Sequence, residues 1–160
     1  MLAMRDRLTA ADRTVISLLR RWSIPALRLT LGIVFVWFGA LKVFGVTPVT
    51  DLVAATVYWV DPDWFVPTLG VFEVAVGIGL ITGKALRITI GAMAVQLLGT
   101  FLVLIVLPEV SFQDGNVLLL TVEGEFVIKN LVLLAAGMVI GSTIQSRDET
   151  ATVERELVDA

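Results

Sequence analysis

Apolar residues gather into four long blocks, at 29–46, 64–82, 88–107 and 126–142, separated by short polar segments. Each block is close to the roughly 17–25 residues an α-helix needs to cross a bilayer. Backbone groups in hydrocarbon must be satisfied within the segment, so the blocks are predicted to be helices. They lack the short alternating strands of a membrane β-barrel. Glycines inside them would weaken soluble helices, but they suit close packing in lipid. The pattern predicts an all-α integral membrane protein: a four-transmembrane-helix bundle over residues 24–142.

The segments between blocks have patterns of their own. In residues 1–23, Leu8, Ala11, Val15, Leu18, Leu19 and Trp22 recur at helical spacing opposite a charged face. This predicts an amphipathic helix lying on the membrane surface, with a capping-box-like start at Thr9 and Asp12. It lacks an apolar core followed by a small-residue cleavage site, so it is not read as a signal peptide. In the first long loop, Thr47 and Pro48 suit a helix start, and Asp61-Pro62 a helix stop. A short interfacial or re-entrant helix is expected there, with Tyr58, Trp59 and Trp64 as an aromatic belt. In the second, Asp114-Gly115 between two apolar runs predicts a small hairpin, its apolar side capping the bundle. The tail, 143–160, is polar and acidic and is expected to be loose or weakly helical.

Charge sets an orientation. Arg5, Arg7, Arg13, Arg20, Arg21 and Arg28 precede the first block, Lys84 and Arg87 sit between the second and third, and Arg147 and Arg155 follow the fourth. The two long loops carry Asp51, Asp61, Asp63, Glu109, Asp114 and Glu123 and no Lys or Arg. The positive-inside rule then puts both termini in the cytoplasm.

Composition narrows the chemistry. The 160-residue chain is 57% hydrophobic and 17% charged, against about 45–50% and roughly 25% in soluble domains. It has a net charge of −3 and neither cysteine nor histidine. Disulfides, CxxC redox chemistry, His-ligated haem and the usual zinc sites are excluded, and nothing suggests nucleic-acid binding. Any chemistry falls to Lys, Glu, Asp, Tyr or a bound cofactor, so an enzyme acting alone is not favoured.

Lys42, Glu73 and Lys129 lie inside the blocks. Such charges are costly in lipid and usually face a bundle interior. Counted from the arginine-rich end of its helix, Lys42 stands roughly 21 Å up, Glu73 roughly 14 Å, Gln96 roughly 14 Å and Lys129 roughly 19 Å. Small and polar residues share their faces: Arg28, Gly32, Phe35, Gly39 and Lys42; Gly70, Glu73 and Gly77; Thr89, Ala92, Gln96 and Gly99. Glu125 precedes Lys129 by one turn, in the favourable order. Two readings stay open. Lys42 and Glu73 are a buried pair that fixes helix packing, or the group forms an outward polar pocket for a small anion, a quinone head group or a proton. Phe35, Trp37 and Phe38 would wall that pocket. Taken singly, Phe35 reads as core, Gln96 as interhelical glue and Glu125 as a solvated carboxylate. Gly137 and Gly141 form a GxxxG pair, for internal packing or a dimer face.

Three stretches resemble a known family. RLTLGIVFVWFGALKVFGVTP, from Arg28, resembles the first helix of DoxX-like membrane proteins, especially their YkgB-type branch. LGVFEVAVGIGLITG, from Leu69, resembles the second helix with its single glutamate, and EGEFVIKNLVLLAAGMVIG, from Glu123, the last, with Lys129 at its lysine. The third helix and both tails match only in character. The resemblance implies a four-helix protein of the bacterial inner membrane. Some relatives are linked to quinone-coupled sulfur oxidation, others to redox or oxidative-stress protection. The implied cofactor is a quinone, and the implied partners are the bilayer with a redox subunit or a second copy of the chain. A small-solute or proton-linked permease, or a scaffold without chemistry, are the alternatives.

Overall fold

The computed structural model describes the backbone of residues 2–158 and the side chains of residues 12–144. Four stretches are long and apolar enough to span a membrane: Asp12–Val43, Pro62–Thr82, Leu86–Val106 and Val122–Ile144. The protein is an all-helical, multi-pass membrane protein.

Helix α1 (Leu2–Val43) runs unbroken from the amphipathic leader into the first span, through Pro25. Thr9 therefore lies within a helix rather than at its start. Pro25 has no N–H for the carbonyl four residues earlier, so the helix continues through it with that hydrogen bond missing. The leader's apolar residues Val15, Leu18, Leu19 and Trp22 are exposed, as are its charged residues Arg13, Arg20 and Arg21.

The first loop differs from expectation in register. Helix α2 (Thr50–Thr56) starts after Val49, not at Thr47, and Thr50 Oγ1 donates back to the Thr47 carbonyl at 3.2 Å. Asp61-Pro62 opens the next helix instead of closing this one. In α3 (Pro62–Thr82), Asp61 is the N-cap and accepts from the Asp63 N–H at 2.9 Å, with Pro62 in the first turn. Proline suits both places, since it stops one helix and pre-sets the φ of another. Gly83 ends α3 with φ 72°, a left-handed cap that glycine adopts without strain.

The third and fourth spans are each divided. Helix α4 (Leu86–Thr100) passes through Phe101 into α5 (Leu102–Val106), and α7 (Val122–Ile128) through Lys129 into α8 (Asn130–Val158). Both joints keep helical dihedrals and tighten into i to i+3 hydrogen bonds, such as Val132 N–H to the Lys129 carbonyl at 3.0 Å. Past Ser142 the backbone stays helical to Val158, the helical one of the two forms expected of the tail.

The expected hairpin is absent. Short α6 (Pro108–Ser111) leads into a 3-10 turn at Gln113–Gly115, and one bridge pairs Phe112 with Leu120. Asp114 and Gly115 do take the positive φ values of a tight turn. Residues 116–119 then close a second turn, with the Leu119 N–H on the Asn116 carbonyl at 2.9 Å, before Thr121 caps α7. Val117, Leu118 and Leu119 point outward rather than capping the bundle.

The four long helices close a ring: α1 packs on α3, α3 on α4, α4 on α8 and α8 on α1. Leu31, Phe35, Val76, Leu80, Met93, Leu97 and Ile140 form the core at its centre. The α1–α3 contact is the most extensive, and glycine sets its closeness. A Cβ on Gly39 would come within 2.5 Å of the Gly70 carbonyl oxygen, and one on Gly77 within 2.7 Å of the Gly32 carbonyl oxygen. Antiparallel helices that touch backbone to backbone need such residues, because lipid supplies no hydrophobic drive for their association.

Candidate functional site

The close α1–α3 crossing brings Lys42 to Glu73. Helical Cα–Cβ bonds tilt toward the helix N-terminus. In an antiparallel pair, the lysine near the end of α1 and the glutamate in the middle of α3 therefore lean toward each other. Lys42 Nζ donates to Glu73 Oε2 at 2.6 Å, and the two residues are 7% and 6% exposed. From α4, Gln96 Nε2 donates to the other carboxylate oxygen, Glu73 Oε1. Three helices thus meet on one carboxylate, whose two oxygens are both engaged.

Hydrogen-bonding capacity is left over. A lysine ammonium carries three donors, and Lys42 uses one of them. Gln96 Oε1 is buried and has no partner. Its amide orientation follows from chemistry, because a carboxylate can only accept and the NH₂ must face it. Gln96 Nε2 also has a second N–H, so beside a satisfied ion pair the cluster offers three spare donors and one spare acceptor in an apolar bundle.

The other expected members lie elsewhere. Lys129 reaches Glu125 at 3.4 Å, with side chains 71% and 59% exposed, and stays apart from Lys42 and Glu73. Trp37 is 62% exposed and Phe38 41%, so both turn away from the cluster. Phe35 alone of the three aromatics faces inward, and it belongs to the core. Gly70 and Gly77 line the seam as expected. Gly99 has open space around it. Gly137 packs on the terminal methyl of Met93 and Gly141 lies near Ile90, so within the molecule this GxxxG pair serves the α4–α8 contact.

One polar contact was missed in the sequence. Asn130 Nδ2 donates to Thr100 Oγ1 at 2.7 Å, which ties the joint of the fourth span to that of the third. The signal was an asparagine in an apolar block beside Lys129, where the lysine drew the attention. Ser111 is likewise fully buried, its hydroxyl donating to the Leu107 carbonyl at 2.9 Å.

A ring of four spanning helices with a buried lysine–glutamate–glutamine cluster defines a small polytopic membrane protein with a polar site inside the bundle. The DoxX family model matches residues 24–106, more than half of the chain, and the chain belongs to the DoxX family. The match includes the third span, which resembled the family only in character, and ends before the fourth. No curated protein and no solved structure matches the chain.

Proposed function

We propose that this DoxX-family protein is a redox- or stress-associated subunit of a bacterial cytoplasmic membrane, which offers the Lys42–Glu73–Gln96 cluster to a quinone-type head group. The observation that carries this reading is the unspent hydrogen-bonding capacity of the cluster. A quinone carbonyl accepts hydrogen bonds, as Lys42 could supply. A quinol hydroxyl also donates, as Gln96 Oε1 requires. Quinones are lipid-soluble, which suits a site enclosed by spanning helices. The chain has neither cysteine nor histidine, so electrons would pass through the quinone and a partner subunit rather than a centre of its own.

The test is to isolate the protein in native lipid, extract bound small molecules and identify quinones by mass. Wild type is expected to carry quinone. Lys42→Met and Gln96→Leu variants that remain folded are expected to lose it. Wild type that reproducibly carries none, and does not shift its melting temperature with a short-chain quinone analogue, refutes the reading.

A second reading has its own support. The pair lies beside the Gly39–Gly70 crossing, where an ion pair would lock two helices without binding anything. Glu73→Gln would then lower folded yield and leave the surviving protein fully functional. A permease would need a path beyond the Lys42–Glu73 pair, and Lys129 pairs with Glu125 apart from it.

A further inference from the structure

The opposite end of the bundle carries a second, separate feature. Arg21 and Arg28 of α1 and Arg87 in the first turn of α4 line one groove of about 810 Å³ between α1, the Gly83–Ala85 turn and α8. Among the described residues, no Asp or Glu lines it. Its lining is otherwise largely apolar, with Ile24 and the fully buried Ile140. It shares Arg87 and Ile144 with a neighbouring trough of about 470 Å³ that runs over Ile90 and Gly141 between α4 and α8.

Arg28 is held in place. It is half-buried, and a Cβ on Gly83 would come within 2.8 Å of its Nη1, so the guanidinium lies against the turn where only glycine leaves room. Arg21 sits 5.8 Å from the ring of Trp22, an aromatic of the kind that settles at head-group depth. Neither Arg21 nor Arg28 forms an ion pair with a carboxylate among the described residues. Arg87 already has an interaction of its own, which leaves Arg21 and Arg28 as the two guanidinium groups for a ligand. A guanidinium presents a planar fork that matches phosphate oxygens. A half-buried one without an anion is costly to keep.

We propose that this groove binds the phosphate of an anionic phospholipid at Arg21 and Arg28, with an acyl chain laid in the trough over Ile90 and Gly141. The union of a basic rim and an apolar channel at one end of the spans favours a lipid over a free anion. Basic pockets between spanning helices are known to take such head groups.

The test uses the full chain in detergent, with phosphatidylglycerol, phosphatidylcholine or inorganic phosphate added, read by native mass spectrometry and by melting temperature. Wild type is expected to retain phosphatidylglycerol through delipidation and to be stabilised by it, but not by phosphatidylcholine. Affinity should fall about ten-fold or more for each arginine removed in Arg21→Gln and Arg28→Gln, as expected for a hydrogen bond to a charged group. Arg13→Gln/Arg20→Gln, on the same helix but outside the groove, should bind as wild type does. Three outcomes overturn the proposal. Equal loss in that control means diffuse attraction. Inorganic phosphate that stabilises and competes as well as the lipid means a free-anion site. Equal retention of both lipids by wild type means no head-group site, and that comparison stands even if the variants do not fold.

Discussion

Removing one half of the Lys42–Glu73 pair leaves the other charged and uncompensated inside an apolar bundle. Breaking a buried pair in this way costs about 3–5 kcal/mol, whereas replacing both halves with apolar groups is often nearly neutral. Lys42→Met and Glu73→Leu should therefore each lower the melting temperature more than the double variant does. Lys129→Gln should change stability by less than about 0.5 kcal/mol, because its pair with Glu125 is exposed to solvent or head groups. Thermal unfolding of all four variants in one detergent checks this, and additive losses at Lys42 and Glu73 would show that the two do not act as a pair. The difference between these lysines also marks what the sequence could reveal. Lys42, Glu73 and Gln96 were legible because a charge in hydrocarbon has few tolerable places, and their depths and faces agreed. Rotation about the helix axis was less legible. Trp37 lies roughly 200° around the helix from Phe35, so the two could not both wall one pocket. Asn130, next to Lys129 and roughly 100° around from it, is the residue that turns inward.

At the scale of the element, the glycines divide into two kinds that the sequence does not distinguish. Those of the α1–α3 crossing face backbone that cannot yield: an added Cβ on Gly39, Gly70 or Gly77 would meet a main-chain atom at 2.5–2.8 Å. Gly91 and Gly99 on α4 have nothing within 4 Å. Alanine at Gly39, Gly70 or Gly77 should destabilise by about 1–3 kcal/mol, the usual cost of overpacking. At Gly91 or Gly99 it should stabilise by up to about 1 kcal/mol through helix propensity. Unfolding of the five single variants under identical conditions tests the division, and a loss at Gly91 as large as at Gly39 would contradict it. The second, third and fourth spans were legible to within a few residues, since length and hydropathy fix them, but the first apolar stretch starts at Asp12 rather than near 29 because α1 runs unbroken out of the leader. Their joints were not. At Thr100–Phe101 and Lys129 the chain stays helical and only tightens; Gly99 stands beside the first joint, but no proline or glycine adjoins Lys129 to announce the second. The hairpin failed for a related reason. Asp114-Gly115 does turn, but residues 116–119 close a second turn on the Asn116 carbonyl and side chain, so the returning strand shrinks to the single Phe112–Leu120 bridge.

For the whole molecule, the distribution of charge across the ring has a consequence that geometry alone does not carry. Arg13, Arg20, Arg21, Arg28, Lys84 and Arg87 cluster at one end, and Asp51, Asp61, Asp63, Glu109, Asp114 and Glu123 at the other. Lys and Arg near span ends resist translocation, so the basic end is expected in the cytoplasm and the acidic loops outside. An even number of spans then returns both termini to the cytoplasmic side. The native chain has no cysteine, so single cysteines report cleanly. Val46→Cys and Val117→Cys, both on exposed loop residues, should react with a membrane-impermeant maleimide added to spheroplasts. Ser17→Cys and Lys84→Cys should react only after lysis. Because one rule governs all four sites, the pattern must hold as a set. Labelling of Lys84→Cys from outside would reverse the molecule. It would place the arginine groove against the outer leaflet and turn the side of the bundle that lies toward Lys42 to the cytoplasm.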